Sequence, residues 1–121
     1  MIDRDWAERF ASEWIDGWNS HDLERIFSHY TDDFEMSSPF IVEMMKVPSG
    51  VLRGKVAIRP YWTAALERKP PIKFELLGVY VGVDRIGIHY RSVGRRLAFE
   101  VLTFNAALQV THGAAHYGEP A

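Results

Sequence analysis

Residues 72–117 read IKFELLGVYVGVDRIGIHYRSVGRRLAFEVLTFNAALQVTHGAAHY, and this run sets the architecture expected of the chain. It divides into four segments, 72–83, 85–92, 96–104 and 110–117, which are rich in branched aliphatic and aromatic residues. Turn-forming residues lie between them, near Asp84, at Val93-Gly94 and near Asn105. Segments of this composition bounded by turn residues are typical of β-hairpins. We therefore expect four consecutive antiparallel strands.

The residues before this run favour helices. Aromatic side chains recur at every fourth position, at Trp6, Phe10, Trp14 and Trp18, which places them along one face of a first helix. A second, shorter helix is expected after Ser20, and a third through residues 58–66. A short strand at 34–38 and an irregular connection around residues 44–50 are expected between the second and third helices.

Three helices in the N-terminal half followed by four long strands are an α+β order. We expect a single domain over residues 1–121, with a curved antiparallel sheet and the helices on one side of it. At 121 residues, the chain can bury an adequate core without disulfides or metals.

Composition excludes several classes of function. Fourteen basic against sixteen acidic residues give a net charge of −2, which argues against a protein that follows the phosphates of a nucleic acid. The chain has no cysteine, so it offers no thiolate zinc site and no cysteine nucleophile. The histidines lack a metal-binding spacing and there is no glycine-rich phosphate loop, so we expect neither a metal nor a cofactor.

Nothing in the sequence indicates a membrane or an exported location. No apolar run reaches the length of a membrane-spanning helix, and the N-terminal residues lack the pattern of a signal peptide. We therefore expect a cytoplasmic protein that has no membrane partner.

Glu100 is the most informative residue of the sequence. It lies in the middle of the third strand segment, and no other charge occurs between Leu97 and Phe104. A carboxylate in a central strand costs free energy to bury unless it has a partner or gives up its charge. Two interpretations stay open. In the first, Arg53, Arg91 or backbone groups satisfy the carboxylate in a structural role, and in the second, Glu100 is an acid in the pocket whose pKa is raised by apolar walls.

The turn between the second and third strand segments determines which side chain accompanies Glu100. A two-residue turn at Val93-Gly94 places His89 and Glu100 on the same face of the sheet, whereas a three-residue turn places them on opposite faces. With the shorter turn, His89 is the expected proton partner of Glu100 or the residue that orients it. The next hairpin brings Tyr117 to the face of Glu100.

Several short motifs occur in a characteristic order. They are Trp14-Ile15-Asp16-Gly17-Trp18-Asn19-Ser20-His21-Asp22-Leu23, His29-Tyr30-Thr31-Asp32-Asp33-Phe34-Glu35, Ser38-Pro39, Leu52-Arg53-Gly54-Lys55 and His116-Tyr117-Gly118. In this order the sequence resembles the nuclear transport factor 2-like superfamily, which includes the SnoaL-like polyketide cyclases and the ketosteroid isomerases. The resemblance spans almost the whole chain. It implies an α+β barrel, in which a cone-shaped, curved antiparallel sheet wraps around a pocket and the first helix forms a lid on one side. It also implies a homodimer through the outer face of the sheet.

The resemblance to ketosteroid isomerases carries over at one of three functional positions. Glu100 falls where that family keeps a protonated carboxylic acid that donates a hydrogen bond to the developing enolate. Ser38 falls at the position of the catalytic base, and serine cannot abstract a proton from carbon unaided. Trp14 falls at the position of the tyrosine that is the second donor. Ketosteroid isomerase activity is therefore not expected.

The leading hypothesis is a SnoaL-like enzyme that transfers protons on a small apolar carbonyl compound, as an isomerase, dehydratase or cyclase does. Glu100 and His89 are the expected catalytic residues, and no cofactor is needed. The expected ligand-binding residues are Trp14, Trp18, Tyr30, Ser38, Phe40, Trp62 and Tyr117. The alternative is a non-catalytic module of the same fold that binds an apolar ligand or serves as a dimeric interaction domain.

The outer face of the sheet is the expected site of self-association. It should carry Phe99, Val101, Thr103 and His112, which alternate with the inward-facing residues of their strands. Bulky apolar groups on a large open sheet form an association surface unless something covers them. We therefore expect a two-fold homodimer.

Overall fold

The structure, a computed structural model, describes residues 1–120, which form four α-helices and six strands. The helices are α1 (Arg4–Asn19), α2 (Leu23–Phe27), α3 (Pro39–Met45) and α4 (Lys55–Leu66). The strands are β1 (Tyr30–Ser37), β2 (Val51–Arg53), β3 (Glu75–Val81), β4 (Arg85–Arg91), β5 (Arg96–Phe104) and β6 (Val110–Pro120). This confirms the predicted α+β class. None of these helices combines the length and apolarity that crossing a membrane requires.

All six strands belong to one curved sheet with the order β2-β1-β6-β5-β4-β3. Strands β3 to β6 form the predicted antiparallel meander. β1 runs parallel to β6, which corrects the expectation of a purely antiparallel sheet. This direction is possible because no hairpin joins β1 to β6. The edge strands β2 and β3 do not pair with each other, so the sheet is open and is not a closed barrel.

The fourth helix is α3, where the sequence predicts a strand end and an irregular connection. Ser38 caps this helix, because its Oγ accepts a hydrogen bond of 3.2 Å from the backbone N–H of Phe40. Pro39 then occupies the first turn, where its missing N–H costs nothing. The helix ends at Lys46, whose φ of 58° lies in the left-handed region. A serine followed by a proline is a helix-start signal, and the expectation of three helices missed it.

Two boundaries near α2 also differ from the prediction. Asp22 caps α2, since its carboxylate accepts a hydrogen bond from the N–H of Arg25, while Ser20 ends α1. A carboxylate is the stronger choice at this end of a helix, because it also interacts favourably with the helix dipole. Strand β1 begins at Tyr30, before the expected start at residue 34, and the Tyr30 side chain is buried.

The aromatic stripe of α1 packs against the concave face of the sheet. Phe10 lies against Phe104 of β5, with 5.0 Å between ring centroids, and Trp14 lies against Tyr90 of β4 at 5.3 Å. Trp18 is also buried. Burying a large apolar side chain contributes about 1.5–3 kcal/mol, so this stripe fixes α1 across the sheet.

The alternation along β5 sorts its residues between the two faces. The buried residues Ala98, Glu100, Leu102 and Phe104 point to the concave face. Phe99, Val101 and Thr103 point to the convex face and are half-buried, and His112 of β6, opposite Thr103, is exposed there. The residues expected on the outer face therefore lie on it.

Candidate functional site

A cavity of about 650 Å³ lies between the concave face of the sheet and helices α1, α3 and α4. Its volume is in the range of about 300–1,000 Å³ that is typical of small-molecule sites. Six of the seven residues expected to bind a ligand line it, namely Trp14, Trp18, Tyr30, Phe40, Trp62 and Tyr117. Ser38 does not line the cavity, but its Oγ accepts a hydrogen bond of 3.1 Å from Tyr61, which does.

Glu100 lines the cavity from the middle of β5. It pairs across the sheet with Ile88 of β4 and Ala115 of β6, and only 3% of its surface is exposed. Its Oε1 accepts a hydrogen bond of 3.3 Å from the Tyr90 hydroxyl. Its other oxygen, Oε2, lies near Gly113 of β6. Gly113 of β6 leaves room beside that oxygen, since a Cβ there would lie 3.9 Å from it.

Neither of the two candidate arginines pairs with Glu100. Arg53 pairs with Glu35 at 2.7 Å, and Arg91 pairs with Glu75 at 3.3 Å. Among residues 1–120, no cationic side chain forms an ion pair with Glu100. The carboxyl group is therefore buried without a neutralising charge.

Burial changes the protonation of Glu100. Loss of solvent raises the pKa of its carboxyl group from 4.5 to about 8, and the hydrogen bond from Tyr90 opposes this rise only in part. A carboxyl group with this pKa is mostly protonated and neutral at pH 7. It can then donate a proton or a hydrogen bond to a bound molecule, as a general acid does.

A group of hydroxyls extends from Glu100 across the cavity. The hydroxyl of Tyr117 lies close to those of Tyr90 and Ser38, and Ser38 accepts the hydrogen bond from Tyr61. Burial, followed by the nearby charge of Glu100, raises the pKa values of Tyr90 and Tyr117. Both phenols therefore stay neutral at physiological pH and remain available as hydrogen-bond donors.

Ser38 and Trp14 are engaged within the protein. The Ser38 hydroxyl caps α3 and accepts the Tyr61 hydrogen bond. The indole N–H of Trp14 donates a hydrogen bond of 2.9 Å to the hydroxyl of Tyr30. Both polar groups thus hold the cavity wall in place.

The structure does not bring His89 to Glu100, and the expected register of the hairpin is wrong. The N–H of Ser92 donates to the Arg96 carbonyl at 2.7 Å, so three residues, 93–95, form the turn. His89 therefore faces Phe99 on the convex side, with 6.2 Å between ring centroids. The longer turn is favoured because Gly94, with a φ of 70°, adopts a left-handed conformation at no steric cost.

Sequence reasoning missed the nearest partner of Glu100. Tyr90 lies on the concave face of β4, opposite Ala98 and diagonal to Glu100. The alternation of Ile86, Ile88 and Tyr90 indicates that the three side chains share one face of β4. It shows that this is also the face of Glu100 only when the turn is known to have three residues. Other lining residues that the sequence did not single out are Met36, Tyr61, Ile72 and Phe74.

The described part of the chain offers no metal centre. Within residues 1–120, no three histidine, aspartate or glutamate side chains come together in a way that could hold a metal ion. The arrangement around Glu100 instead presents one neutral acid and several phenols to an apolar space.

The comparisons with known proteins agree with this architecture. The family model described as a SnoaL-like domain matches residues 11–117. A SnoaL-like protein of unknown function from Burkholderia thailandensis E264 is 48% identical, with a TM-score of 0.93, over 97% of this chain and 98% of that one. None of the curated proteins matches the sequence.

More distant structures share the fold alone. The epoxide hydrolase/cyclase-like enzyme SalBIII, which has a role in pyran ring formation in the polyether salinomycin, is 17% identical, with a TM-score of 0.74, over 98% of this chain and 95% of that one. A candidate polyketide cyclase from Sinorhizobium meliloti is 15% identical, with a TM-score of 0.72, over 89% and 94% of the two chains. Since the family model covers most of the sequence, the chain belongs to the SnoaL-like domain family.

Proposed function

We propose that this protein is an enzyme that catalyses proton transfer on a small, largely apolar carbonyl compound bound in the cavity. The reaction would be an isomerisation, a dehydration or a cyclisation. The observation that carries the proposal is Glu100, a buried carboxyl group that lines a cavity of about 650 Å³ and has no cationic partner among residues 1–120. A buried acid of this kind with a strongly shifted pKa is more frequent at functional sites than elsewhere.

In this proposal Glu100 acts as a general acid. Its protonated carboxyl group donates a proton to the carbonyl or hydroxyl oxygen of the substrate, and the resulting carboxylate keeps the hydrogen bond from Tyr90. The same carboxylate then takes a proton from the reacting molecule or from water, which restores the neutral acid. The aromatic walls exclude water from the reacting group and hold the substrate through buried area.

The structural neighbours support the proposal at the level of the fold. SalBIII and the polyketide cyclase candidate are both described as ring-forming enzymes. The same fold also carries proteins of unknown function, so the chemistry has to be argued from Glu100 and its surroundings.

The test is a screen followed by one substitution. Steroid-like ketones and aromatic lactones are screened by thermal shift, and hits are assayed for turnover. In Glu100→Gln, turnover of a hit should fall by a factor of about 10²–10⁴ while the dissociation constant stays within a few-fold. The control variant Glu8→Gln changes an exposed carboxylate on α1, outside the cavity, and should keep full activity.

A second candidate function is a non-catalytic module that binds an apolar ligand. The specific observation in its favour is that Ser38 and Trp14, at the positions of the isomerase base and tyrosine, are both engaged in structural hydrogen bonds. Binding without turnover across the whole panel, together with equal affinity of the Glu100→Gln variant, would select this candidate over the enzyme.

A further inference from the structure

We infer that the ligand of this cavity is amphipathic, with an apolar body inside and an anionic group, such as a carboxylate, at the cavity mouth against Arg68, Lys69 and Arg96. The inference rests on the proposed function only in that it uses the same cavity. It names a class of ligand and does not depend on the proton transfer.

Apart from Glu100, the acidic and basic side chains that line the cavity are more exposed than the aromatic side chains of its interior. They come from α3, from the residues after α4 and from β5. Arg68 and Lys69 are exposed just beyond the end of α4, and Arg96 is half-buried at the start of β5. The carboxylate of Glu43 on α3 is the acidic member of this group. We call these four residues the cavity mouth. It carries three cations and one anion, although the whole chain has a net charge of −2.

In the described part of the chain, the three cations of the cavity mouth form no ion pairs. Within residues 1–120, no carboxylate lies within 4 Å of Arg68, Lys69 or Arg96. Elsewhere on the surface, arginines such as Arg53 and Arg59 are paired with glutamates. Neighbouring cations that lack partners create a local positive potential, which attracts anions.

The position of Arg96 favours a ligand-binding role. Arg68 and Lys69 follow the C-terminal end of α4, where the helix dipole alone would favour cations. That explanation does not apply to Arg96, which belongs to a strand. Its guanidinium lies 5.9 Å from the centre of the Phe40 ring, so the positive charge sits directly over an aromatic wall of the cavity.

The interior of the cavity differs sharply from its mouth. Trp14, Trp62 and Phe74 supply aromatic walls, and the buried Glu100 is mostly neutral at pH 7. A neutral acid does not repel the anionic end of an approaching ligand, whereas an ionised one would. The gradient from cationic mouth to apolar interior therefore matches a molecule with one anionic end.

Two fluorescent dyes test the inference. The probe 1-anilinonaphthalene-8-sulfonate carries an anionic group, and N-phenyl-1-naphthylamine has the same rings without it. We expect the anionic dye to bind roughly three- to tenfold more tightly at low salt, since exposed charge pairs each contribute a factor of a few. The preference should vanish in the triple variant Arg68→Gln, Lys69→Gln, Arg96→Gln, and it should increase in Glu43→Gln.

The control removes the same amount of charge elsewhere. The triple variant Arg4→Gln, Arg9→Gln, Arg59→Gln changes arginines that do not line the cavity, and it should keep the preference. Equal affinity for both dyes in the native protein, or loss of the preference in the control, would overturn the inference and leave the role of Glu100 untouched. If neither dye binds, the inference is overturned, and the proposed function is still tested separately by its own panel of ketones and lactones.

Discussion

Glu100 shows how a single residue acquires chemistry from its surroundings. Its side chain points to the concave face, where apolar walls replace water and the Tyr90 hydroxyl donates a hydrogen bond. In this environment the neutral form is favoured over the ionised one. A glutamate on the exposed face of the sheet that is paired with an arginine would instead be an ordinary structural carboxylate.

The first prediction concerns the pH dependence of catalysis. If Glu100 acts as the acid, kcat/KM for a hit from the screen should be highest at low and neutral pH and should fall as pH rises through about 8. The reason is that only the protonated form can donate. A pH–rate profile that stays flat between pH 6 and 10 in the native protein would contradict this role.

The second prediction concerns stability. The pKa of Glu100 is about 8 in the folded protein and near 4.5 when solvated, so rising pH ionises the unfolded chain first. The free energy of unfolding should therefore fall between pH 4.5 and 8, by an amount on the order of several kcal/mol. In Glu100→Gln this contribution to the fall should be absent. Urea titrations of both proteins at pH 5 and pH 8 measure it.

The same titrations contain their own control. Glu8→Gln, on the surface of α1, should follow the native protein at both pH values. Parallel pH dependence of the native protein and Glu100→Gln would show that Glu100 keeps an ordinary pKa in the fold.

At the scale of elements, the short helix α3 depends on one side chain. Ser38 caps the helix, and its hydroxyl also accepts the hydrogen bond from buried Tyr61. We predict that Ser38→Ala destabilises the protein by about 1–3 kcal/mol, through the lost cap and the orphaned hydroxyl. Chemical denaturation measures the loss.

A serine outside this network serves as the comparison. Ser12→Ala changes an exposed residue of α1, where alanine is a good helix former, and should leave the free energy of unfolding nearly unchanged. An equally small effect of Ser38→Ala would mean that the cap and the Tyr61 hydrogen bond contribute little to the fold.

At the scale of the whole molecule, we propose that two copies associate through the convex face of the sheet. Phe99 and Val101 lie half-exposed on that face, and the Tyr80 side chain, packed against Phe99, is 55% exposed. Covering these residues in a dimer would remove apolar surface from water. Light scattering should therefore give about 28 kDa, twice the chain mass of 13.9 kDa.

Variants on and off this face make the dimer prediction specific. Val101→Glu places a charge on the convex face and should shift the mass towards that of one chain. Val56→Glu changes a residue of α4 that is 90% exposed, and it should leave the mass unchanged. A native protein that has the mass of one chain at micromolar concentration would refute the proposal.

The sequence by itself determined the meander of long strands, the buried stripe of α1 and the inward position of Glu100. These features follow from local patterns: alternation along β5, a four-residue spacing of aromatic residues, and a carboxylate in an otherwise uncharged strand. The pair Ser38-Pro39 is also a helix-start signal for α3. The expectation of three helices missed it, because the pair was interpreted as the end of a strand.

Only the tertiary structure decided what surrounds Glu100. The turn at 93–95 has one residue more than the expected two-residue turn. The additional residue places Tyr90 on the same face of the sheet as Glu100 and His89 on the opposite face. The parallel pairing of β1 with β6, and the engagement of Arg53 and Arg91 by other glutamates, involve residues far apart in the chain. Such contacts depend on how all the elements pack together, and no local pattern encodes them.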